Sequence, residues 1–293
     1  MDPLANIAVS AARRGGAVIL RSLDRLDLLK VETKRHNDFV TEIDRRSEAT
    51  IIETIRRAHP DHAILAEERG REDTGSAIEW IIDPLDGTTN YLHGFPAFSV
   101  SIAVSERGRL VTGVVYDPLR EEMFVASRGQ GALLNERRIR VAARPALEGA
   151  LVGTGFPFRE LRDLDDYLAM FRAVIERTSG LRRAGSAALD LAWTAAGRLD
   201  GFFELGLEVW DIAAGCLLIE EAGGIIGDVC GNAGWPIAEG NILAGNPRIF
   251  AALARALAPH LPPRLASQPA AERSDSPRAK TARADPLRKS KRK

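Results

Sequence analysis

Two carboxylates three positions apart, Asp83 and Asp86, follow directly on the apolar run Trp80-Ile81-Ile82. The β-branched pair predicts a buried strand, and Pro84 predicts the end of that strand, because proline fixes its own φ and has no N–H to donate. Gly87-Thr88-Thr89 then places backbone N–H groups where the next helix would begin. Acids beside free N–H groups suit a divalent cation and a phosphate held side by side. The stretch therefore indicates metal-assisted phosphoryl chemistry.

A solvated turn is the competing interpretation, because sequences of the type Asp-Pro-x-Asp-Gly are common in turns. Two further acidic positions weigh against it: the pair Glu67-Glu68 after the apolar run Ala63-Ile64-Leu65, and Asp211 after Trp210. Each acid lies at the end of a predicted strand or the start of a predicted helix and is flanked by apolar residues. A shared metal ion explains such positions better than a solvated face does.

The elements that must position these acids can be read from periodicity. Thr41 is predicted to begin a helix that runs to about Ala58, with Asp44 in the capping-box position. Residues 69–78 read as a polar loop. From Phe98 the apolar period changes to two, which predicts an antiparallel hairpin and meander reaching about Asn135.

The second half of the chain alternates between helices and strands. We predict helices over 161–178, 187–197, 211–222 and 247–257, with strands over 181–184 and 201–205 and near Ile225 and Ile242. Runs of strands followed by alternation indicate a layered α/β or α+β fold. We divide it into an α+β half (1–145) that carries most metal ligands, an α/β half (146–259) that completes the site, and a tail (260–293).

The formal net charge is zero, but it is unevenly distributed. From His260 to Lys293 there are ten Lys or Arg, three acids and five prolines, with no apolar periodicity. This composition predicts a disordered basic tail and leaves an acidic body. An acidic body disfavours a broad nucleic-acid surface on the folded part and fits a site that concentrates Mg²⁺. The tail could serve solubility alone, or it could contact RNA or an acidic partner.

The two cysteines, Cys216 and Cys230, have no CxxC spacing, so neither a disulfide framework nor a zinc site is expected. Residues 1–20 read as an amphipathic helix and not as a signal peptide, because Arg13-Arg14-Gly15-Gly16 interrupts the apolar spacing. No apolar run approaches membrane-spanning length. We expect a soluble, cytoplasmic protein with no membrane contact.

Taken together, these motifs resemble the inositol monophosphatase family over about residues 5–257. The resemblance rests on three stretches: Ala66-Glu67-Glu68, the motif Asp83-Pro-Leu-Asp-Gly-Thr-Thr-Asn90, and Trp210-Asp211 with the following Glu221-Ala-Gly-Gly224. The stretches Asn37–Thr41, Thr154–Phe158 and Arg183–Leu191 are most similar to the bacterial SuhB-type branch of the family. The resemblance implies a five-layered αβαβα sugar-phosphatase fold, Mg²⁺ dependence with two or three ions, inhibition by lithium and a homodimer.

The resemblance also implies metal ligands. One Mg²⁺ would be held by Glu67, Asp83 and the main-chain carbonyl of Leu85. A second would be held by Asp83, Asp86 and Asp211, with Asp83 bridging the two ions. Oxygen ligands without His or Cys are what Mg²⁺ prefers. Arg69 departs from the family pattern and puts a cation near this loop, which leaves the third, weakest metal position open.

Catalytic and substrate roles follow from the same resemblance. Thr88 would contact the attacking water and pass its proton towards Asp44, while Glu67 completes the catalytic group. The alternative for both Thr88 and Asp44 is simple helix capping. Glu204 would bind substrate hydroxyls, although an acid on an edge strand is its plain alternative. The residues implied to contact substrate are Asp86, Gly87, Thr88, Gly185, Ser186, Ala187, Glu204 and Asp211.

The leading functional interpretation is hydrolysis of a phosphate monoester on a polyol, with inositol 1-phosphate first. Related folds act on fructose 1,6-bisphosphate or histidinol phosphate, so these substrates are alternatives. A different class also follows from the resemblance, since SuhB-type proteins take part in transcription antitermination. The chain would then be an interaction protein of the RNA polymerase complex with a retained phosphatase site. No acid of the implied metal set is missing, which favours the enzyme.

Overall fold

Three β-sheets and the helices between them form the fold in a computed structural model, which describes residues 2–28, 31–35, 38–157, 161–237 and 240–266. The helices are α1 (Pro3–Ser22), α2 (Glu42–Ala58), α3 (Thr88–Leu92), α4 (Leu164–Ile175), α5 (Ala187–Ala195), α6 (Val209–Glu221), α7 (Pro247–Leu257) and α8 (Pro263–Ala266). Short 3-10 turns cover Leu23–Leu28, Leu161–Asp163 and Ala258–His260.

The strands before residue 140 form a two-stranded and an eight-stranded sheet. They are β1 (Val31–Arg35), β2 (Asp38–Thr41), β3 (Ala63–Ala66), β4 (Gly70–Glu72), β5 (Ile78–Asp86), β6 (Ser99–Glu106), β7 (Arg109–Asp117), β8 (Glu122–Ser127), β9 (Gly131–Leu134) and β10 (Arg137–Arg138). Strands β1 and β2 pair with each other, and the large sheet has the order β10-β9-β8-β7-β6-β5-β3-β4. The predicted meander is thus confirmed as β6 to β9.

The later strands form a five-stranded mixed sheet. They are β11 (Leu151–Thr154), β12 (Gly180–Arg182), β13 (Gly201–Glu204), β14 (Ile225–Asp228) and β15 (Ile242–Gly245), in the order β12-β11-β13-β15-β14. Strand β11 pairs parallel to β12 and β13, whereas β15 pairs antiparallel to β13 and β14.

The layers stack as helix, sheet, helix, sheet, helix. The pair α1 and α2 covers one face of the large sheet, and α5 and α6 fill the space between the large and the small sheet. Helices α4 and α7 cover the outer face of the small sheet. Each apolar face is buried against the next layer, which is what stabilises such architectures. The predicted five-layered αβαβα fold is confirmed, and the 145/146 division falls between the last strand of the large sheet and the first strand of the small one.

Helix α1 packs closely on its neighbours because its buried face is made of small residues, among them Gly15 and Gly16. A Cβ on Gly15 would lie 2.8 Å from the side chain of Ile51 on α2, and a Cβ on Gly16 would lie 2.7 Å from the ring of Tyr116 on β7. The Arg-Arg-Gly-Gly interruption noted in the sequence is therefore a packing feature. Among the described residues, no helix has both the length and the apolar composition needed to cross a bilayer.

The expectation that Pro84 ends its strand is wrong. Strand β5 continues through Pro84 to Asp86, and its pairing with β6 shifts register between Asp83, which faces Ser101, and Asp86, which faces Ser99. One extra residue on β5 makes a bulge there, which accommodates a residue without an N–H. The bulge turns both carboxylates towards the same place, so the irregularity builds the site. The polar loop predicted over 69–78 also contains the short strand β4.

The basic tail begins later than predicted. Residues 263–266 form α8, where Leu265 is buried and Arg264 donates from Nε to the Asp163 carboxylate at 3.0 Å. The prediction of disorder from His260 is therefore wrong for the first residues of the tail. The rest of that prediction, residues 267–293, lies outside the described residues.

Truncation tests this boundary. A chain that ends at Ala266 should unfold at the same temperature as the full chain, because the removed residues have a composition without core-forming apolar periodicity. A chain that ends at Leu261 loses the burial of Leu265 and the ion pair of Arg264, and its free energy of unfolding should fall by about 2–3 kcal/mol. Denaturant unfolding measures both, and an equal loss in the two truncated chains would contradict the boundary.

Candidate metal and phosphate site

Three buried carboxylates meet where the large sheet faces the layer of α5 and α6. Asp83 and Asp86 come from the bulged end of β5, and Asp211 comes from the first turn of α6. One carboxylate oxygen from each lies within 4.8 Å of the others. The sequence places Asp211 more than a hundred residues from the other two, and the fold brings them together.

Backbone and side-chain donors fix each of the three carboxylates. The N–H of Leu85 donates to Asp83 at 2.9 Å, and the N–H of Glu208 donates to Asp211 at 2.8 Å. Asp86 accepts from the N–H of Ala188 at 2.8 Å and from the hydroxyl of Ser186. These contacts hold the acids in place while leaving each carboxylate further lone pairs for another ligand.

The cluster is electrostatically unfavourable without a cation. Burial raises the pKa of Asp83 well above its ordinary value, and the charges of neighbouring acids raise it further: Glu67, Asp86 and Asp211. Burial also raises the pKa of Asp86 to about 6, although the Ser186 hydroxyl and the Ala188 N–H lower it. Buried like charges within a few ångströms oppose each other's ionisation. Oxygen donors in this arrangement fit a hard divalent cation such as Mg²⁺.

Thr88 and Asp44 form a hydrogen-bonded pair beside the cluster. The Thr88 hydroxyl lies 2.9 Å from Oδ1 of Asp44 and 3.1 Å from the carbonyl oxygen of Leu85. The other oxygen of Asp44 accepts from the N–H of Thr41 at 2.9 Å and from its hydroxyl, which is the predicted capping box of α2. Asp44 thus caps α2 and also contacts Thr88, so the capping interpretation is confirmed for Asp44, and the proton path from Thr88 to Asp44 stays a prediction.

Burial raises the pKa of Asp44, and the charge of Glu67 adds to the rise, whereas the donors on Thr41 and Thr88 lower it. The Asp44 carboxylate is therefore a better proton acceptor than an ordinary aspartate.

Glu67 follows β3 directly and is half-buried next to the cluster. Its N–H donates to the carbonyl oxygen of Ile82 at 3.1 Å, which ties the end of β3 to β5. Glu67 is outside the group of three mutually close carboxylates, but its charge raises the pKa of Asp83. The side chain of Arg69, the cation that departs from the family pattern, lies 3.4 Å from the buried carboxylate of Glu48. Glu48 therefore forms an ion pair with Arg69 and partly neutralises its charge.

The predicted phosphate loop begins with a glycine that no other residue could replace easily. Gly87 precedes α3 with φ at 95°, and a Cβ there would lie 2.9 Å from the carbonyl oxygen of Ala97. Asn90 donates to the carbonyl oxygens of Ala97 at 2.7 Å and Ala184 at 2.8 Å. This side chain joins the α3 turn to the segment that carries Gly185, Ser186 and Ala187. The sequence contained Asn90 in its motif but gave it no role.

Glu204, at the end of β13, lies directly over Gly155. A Cβ built on Gly155 would fall within 2.3 Å of three atoms of the Glu204 carboxylate group, so the glycine is what leaves room for this side chain. Glu204 is half-buried, and its charge raises the pKa of Asp190 on α5. Asp190 was missed by the sequence analysis, because a single acid in an apolar helix carries no spacing signal. Ser47, whose hydroxyl donates to the carbonyl oxygen of Pro84 at 3.0 Å, was also missed, because a single serine within a helix carries no spacing signal.

Comparison with known sequences identifies relatives over almost the whole chain. The sequence model of the Inositol monophosphatase family matches residues 1–261. Nus factor SuhB of Pseudomonas aeruginosa is 53% identical over 270 residues, covering 90% of this chain and 99% of that protein. Nus factor SuhB of Escherichia coli K12 is 48% identical over 254 residues, covering 86% of this chain and 95% of that protein.

Solved structures give the same assignment. Extragenic suppressor protein SuhB from Bartonella henselae superposes with a TM-score of 0.83 at 43% identity, covering 87% of this chain and 98% of that one. Inositol monophosphatase from Anabaena superposes with a TM-score of 0.77 at 41% identity, covering 90% and 98%. With the fold, the carboxylate cluster and the sequence in agreement, the chain belongs to the inositol monophosphatase family.

Proposed function

We propose that the protein is a Mg²⁺-dependent phosphatase that hydrolyses the phosphate monoester of a polyol, with inositol 1-phosphate as its substrate. The observation that carries the proposal is the buried group of Asp83, Asp86 and Asp211 beside the Thr88–Asp44 pair. Buried acids that raise each other's pKa are costly to keep, and they are typical of catalytic and metal sites. Family membership supplies the reaction class, phosphatase.

We extend the proposal to two Mg²⁺ positions. We assign Glu67, Asp83 and the carbonyl oxygen of Leu85 to one, and Asp83, Asp86 and Asp211 to the other, with a third position left to be measured. When bound, Mg²⁺ supplies a Lewis acid for the phosphate oxygens and lowers the pKa of a coordinated water. The mutual repulsion of the acids is relieved by the same cations, so metal binding should also stabilise the fold.

The chain's own residues would orient the reactants around these positions. The Thr88 hydroxyl donates to Asp44, which leaves the lone pairs of its oxygen for a hydrogen bond from the attacking water. The Asp44 carboxylate, with its raised pKa, then receives the proton through that hydrogen bond. The N–H groups of Gly87 and Thr88 in the first turn of α3 are assigned to the phosphate oxygens, because N–H groups there lack intrahelical acceptors.

Substrate hydroxyls are assigned to the far side of the cluster. Glu204 accepts from ring hydroxyls, and Gly185, Ser186 and Ala187 at the start of α5 line the ring. Asp86 and Asp211 are assigned to the substrate as well, so they would contact both the metal and the substrate. Fructose 1,6-bisphosphate and histidinol phosphate are the alternative substrates, and each would present a different group to the Glu204 carboxylate.

Phosphate release from inositol 1-phosphate tests the proposal directly. Turnover should require Mg²⁺ and be blocked by millimolar lithium. Fructose 1,6-bisphosphate and histidinol phosphate are assayed alongside, and a preference for either would replace the substrate while keeping the reaction. If calorimetry shows that the protein binds Mg²⁺ but none of the three esters is hydrolysed, the phosphatase proposal is overturned.

Gly155→Ala should weaken substrate recognition without unfolding the protein. The three atoms nearest to the added Cβ all belong to the carboxylate group of Glu204, the end of a flexible side chain that can swing away at small cost. We expect KM for inositol 1-phosphate to rise about tenfold while the KM for p-nitrophenyl phosphate, which has no ring hydroxyls, changes little. Gly180→Ala in the same sheet is the matched control, since its nearest neighbours lie at 3.4 and 3.9 Å. Equal losses on the two substrates would remove Glu204 from hydroxyl recognition.

A second function is favoured by the names of the relatives, since the proteins from Pseudomonas aeruginosa and Escherichia coli are called Nus factors. We propose that this chain also associates with a transcription complex, with the basic tail contacting RNA or an acidic surface. Co-sedimentation of the full chain and of a chain ending at Ala266 with transcribing RNA polymerase tests this. Retained binding by Asp83→Asn would separate it from catalysis, and no co-sedimentation of the full chain would exclude it.

A further inference from the structure

Asp190 is a buried carboxyl to which neither the family resemblance nor the metal assignment gives a role. It lies in the first half of α5, four residues after Ser186, and only 1% of its surface is exposed. Its Oδ1 has no hydrogen-bond partner among the residues that the structure describes. An unpartnered buried oxygen costs about 1–3 kcal/mol, so its retention calls for an explanation.

The placement of Asp190 depends on two glycines on one face of a strand segment. Gly153 lies in β11 and Gly155 follows that strand, and residues two apart along extended chain face the same side. A Cβ on Gly153 would meet Cγ of Asp190 at 3.4 Å, and a Cβ on Gly155 would overlap the Glu204 carboxylate. Two carboxyl groups therefore occupy neighbouring places over the same two glycines.

The register of the small sheet agrees with this placement. Gly153 pairs with Phe202 on β13, so Glu204, two residues further along β13, faces the same layer as Phe202. That layer contains α5, since Phe202 packs in the same apolar cluster as Ala188 and Leu191. Asp190 and Glu204 thus approach each other from the helix and from the sheet.

The charges facing Asp190 are mostly negative. Burial raises the pKa of Asp190 well above its ordinary value; the carboxylates of Glu204 and Asp86 raise it further, and the guanidinium of Arg183 lowers it. Arg183 is exposed, whereas the carboxyl is enclosed, so the acids dominate. These surroundings favour the protonated form of the carboxyl, in which it can donate a hydrogen bond.

We propose that Asp190 is a positioning residue for substrate recognition, whose carboxyl group donates a hydrogen bond to the Glu204 carboxylate and fixes it in the orientation that receives the hydroxyls of a polyol phosphate. The inference rests on the proposed function, because it assigns Glu204 to the substrate hydroxyls. Asp190 itself touches neither the phosphate nor the metal ligands in this scheme, so it controls affinity for the polyol part and leaves the cleavage step unchanged.

Asp190→Leu and Asp190→Asn separate this role from a structural one. The leucine removes the donor, and KM for inositol 1-phosphate should rise about tenfold with kcat changed less than about threefold. The asparagine restores an uncharged donor of the same size and should keep KM within about twofold of the wild type. The KM for p-nitrophenyl phosphate should stay unchanged in both. Equal losses on the two substrates, or the same loss in both variants, would overturn the proposal.

A double-mutant cycle tests whether Asp190 acts through Glu204. In a Glu204→Gln background, Asp190→Leu should add less than about twofold to KM, because the group that it positions is already altered. Additive losses would overturn the proposal. If thermal unfolding shows that the leucine variant does not fold, Asp190→Ala completes the same cycle.

An infrared measurement gives a readout that needs no turnover. The difference spectrum of the Mg²⁺-loaded wild type minus Asp190→Asn should contain the carbonyl band of a protonated carboxyl at neutral pH, and Glu204→Gln should shift that band. A carboxylate signature in its place would overturn the inference even if the enzyme is active. A protonated band that responds to Glu204→Gln in a protein inactive on all three phosphate esters would retain the pairing and reject the proposed substrate role.

Discussion

Asp83→Asn should abolish turnover of inositol 1-phosphate while the protein remains folded. Asp83 is assigned to both metal positions, so the amide removes a charge from each and adds almost no volume. Loss of that bridging charge should lower kcat by about 1,000-fold or more, since metal charge at the phosphate contributes several kcal/mol. The assay is phosphate release at saturating Mg²⁺, and near-normal activity there would rule out the two-metal assignment.

Asp83→Asn should abolish activity, but it should stabilise the folded protein when no metal is bound. Burial and neighbouring acids raise the pKa of Asp83 in the folded state, so the folded protein holds a proton that the unfolded chain releases. This contribution to stability is complete below the unfolded pKa and is lost as the pH rises through the folded pKa. Asparagine does not ionise, so Asp83→Asn does not lose this stability as the pH rises. Its unfolding temperature in EDTA at neutral pH should therefore exceed that of the wild type.

With Mg²⁺ present, the wild type should have a higher unfolding temperature than Asp83→Asn, the reverse of the order in EDTA. It should raise the unfolding temperature of the wild type and leave that of Asp83→Asn nearly unchanged, because binding to the folded state alone stabilises it. Asp165→Asn is the matched control, since the same chemical change is made at an exposed position in the first turn of α4. An equal response of Asp83→Asn and Asp165→Asn to Mg²⁺ would show that Asp83 is not a ligand.

The local part of the site could be predicted from the sequence because it is encoded over short distances. Thr41 and Asp44 of the capping box are three positions apart, and the turn from β5 into α3 is set by Gly87. Patterns of this kind depend on backbone geometry that neighbouring residues decide. The same reasoning was wrong at Pro84, because it assumed that a strand must end at a residue that has no N–H to donate to its partner strand. A bulge on β5 accommodates this residue in the pairing with β6, and only the pairing reveals the bulge.

The long-range part could not be derived from spacing. Asp86 receives its hydrogen bonds from Ser186 and Ala188, about a hundred positions away, and only the family resemblance indicated that these segments meet. The positions of Glu204 and Asp190 were harder still to predict, because they depend on the absence of side chains at Gly153 and Gly155. A glycine in a strand signals close approach of another group, but the sequence does not say which group approaches.

Thr88→Val should lower kcat by about 100-fold or more with little change in KM. Valine keeps the shape of threonine but removes the hydroxyl that lies 2.9 Å from Asp44, so the attacking water loses the group that orients it. General-base assistance contributes about 100- to 10,000-fold in typical enzymes. Thr88→Ser, which keeps the hydroxyl, is the matched control and should retain kcat within about threefold of the wild type.

A pH profile of the Thr88 variants tests whether Asp44 accepts the proton. Burial already raises the pKa of Asp44, and the Thr88 hydroxyl is one of the donors that lower it. Only the ionised carboxylate accepts a proton, so the acidic limb of kcat against pH should report Asp44 in the wild type, and it should be absent from the residual activity of Thr88→Val, in which the path from the water to Asp44 is broken. In Thr88→Ser the limb should stay in place. An acidic limb that persists unchanged in the valine variant would mean that Asp44 serves α2 as a cap and takes no part in moving the proton.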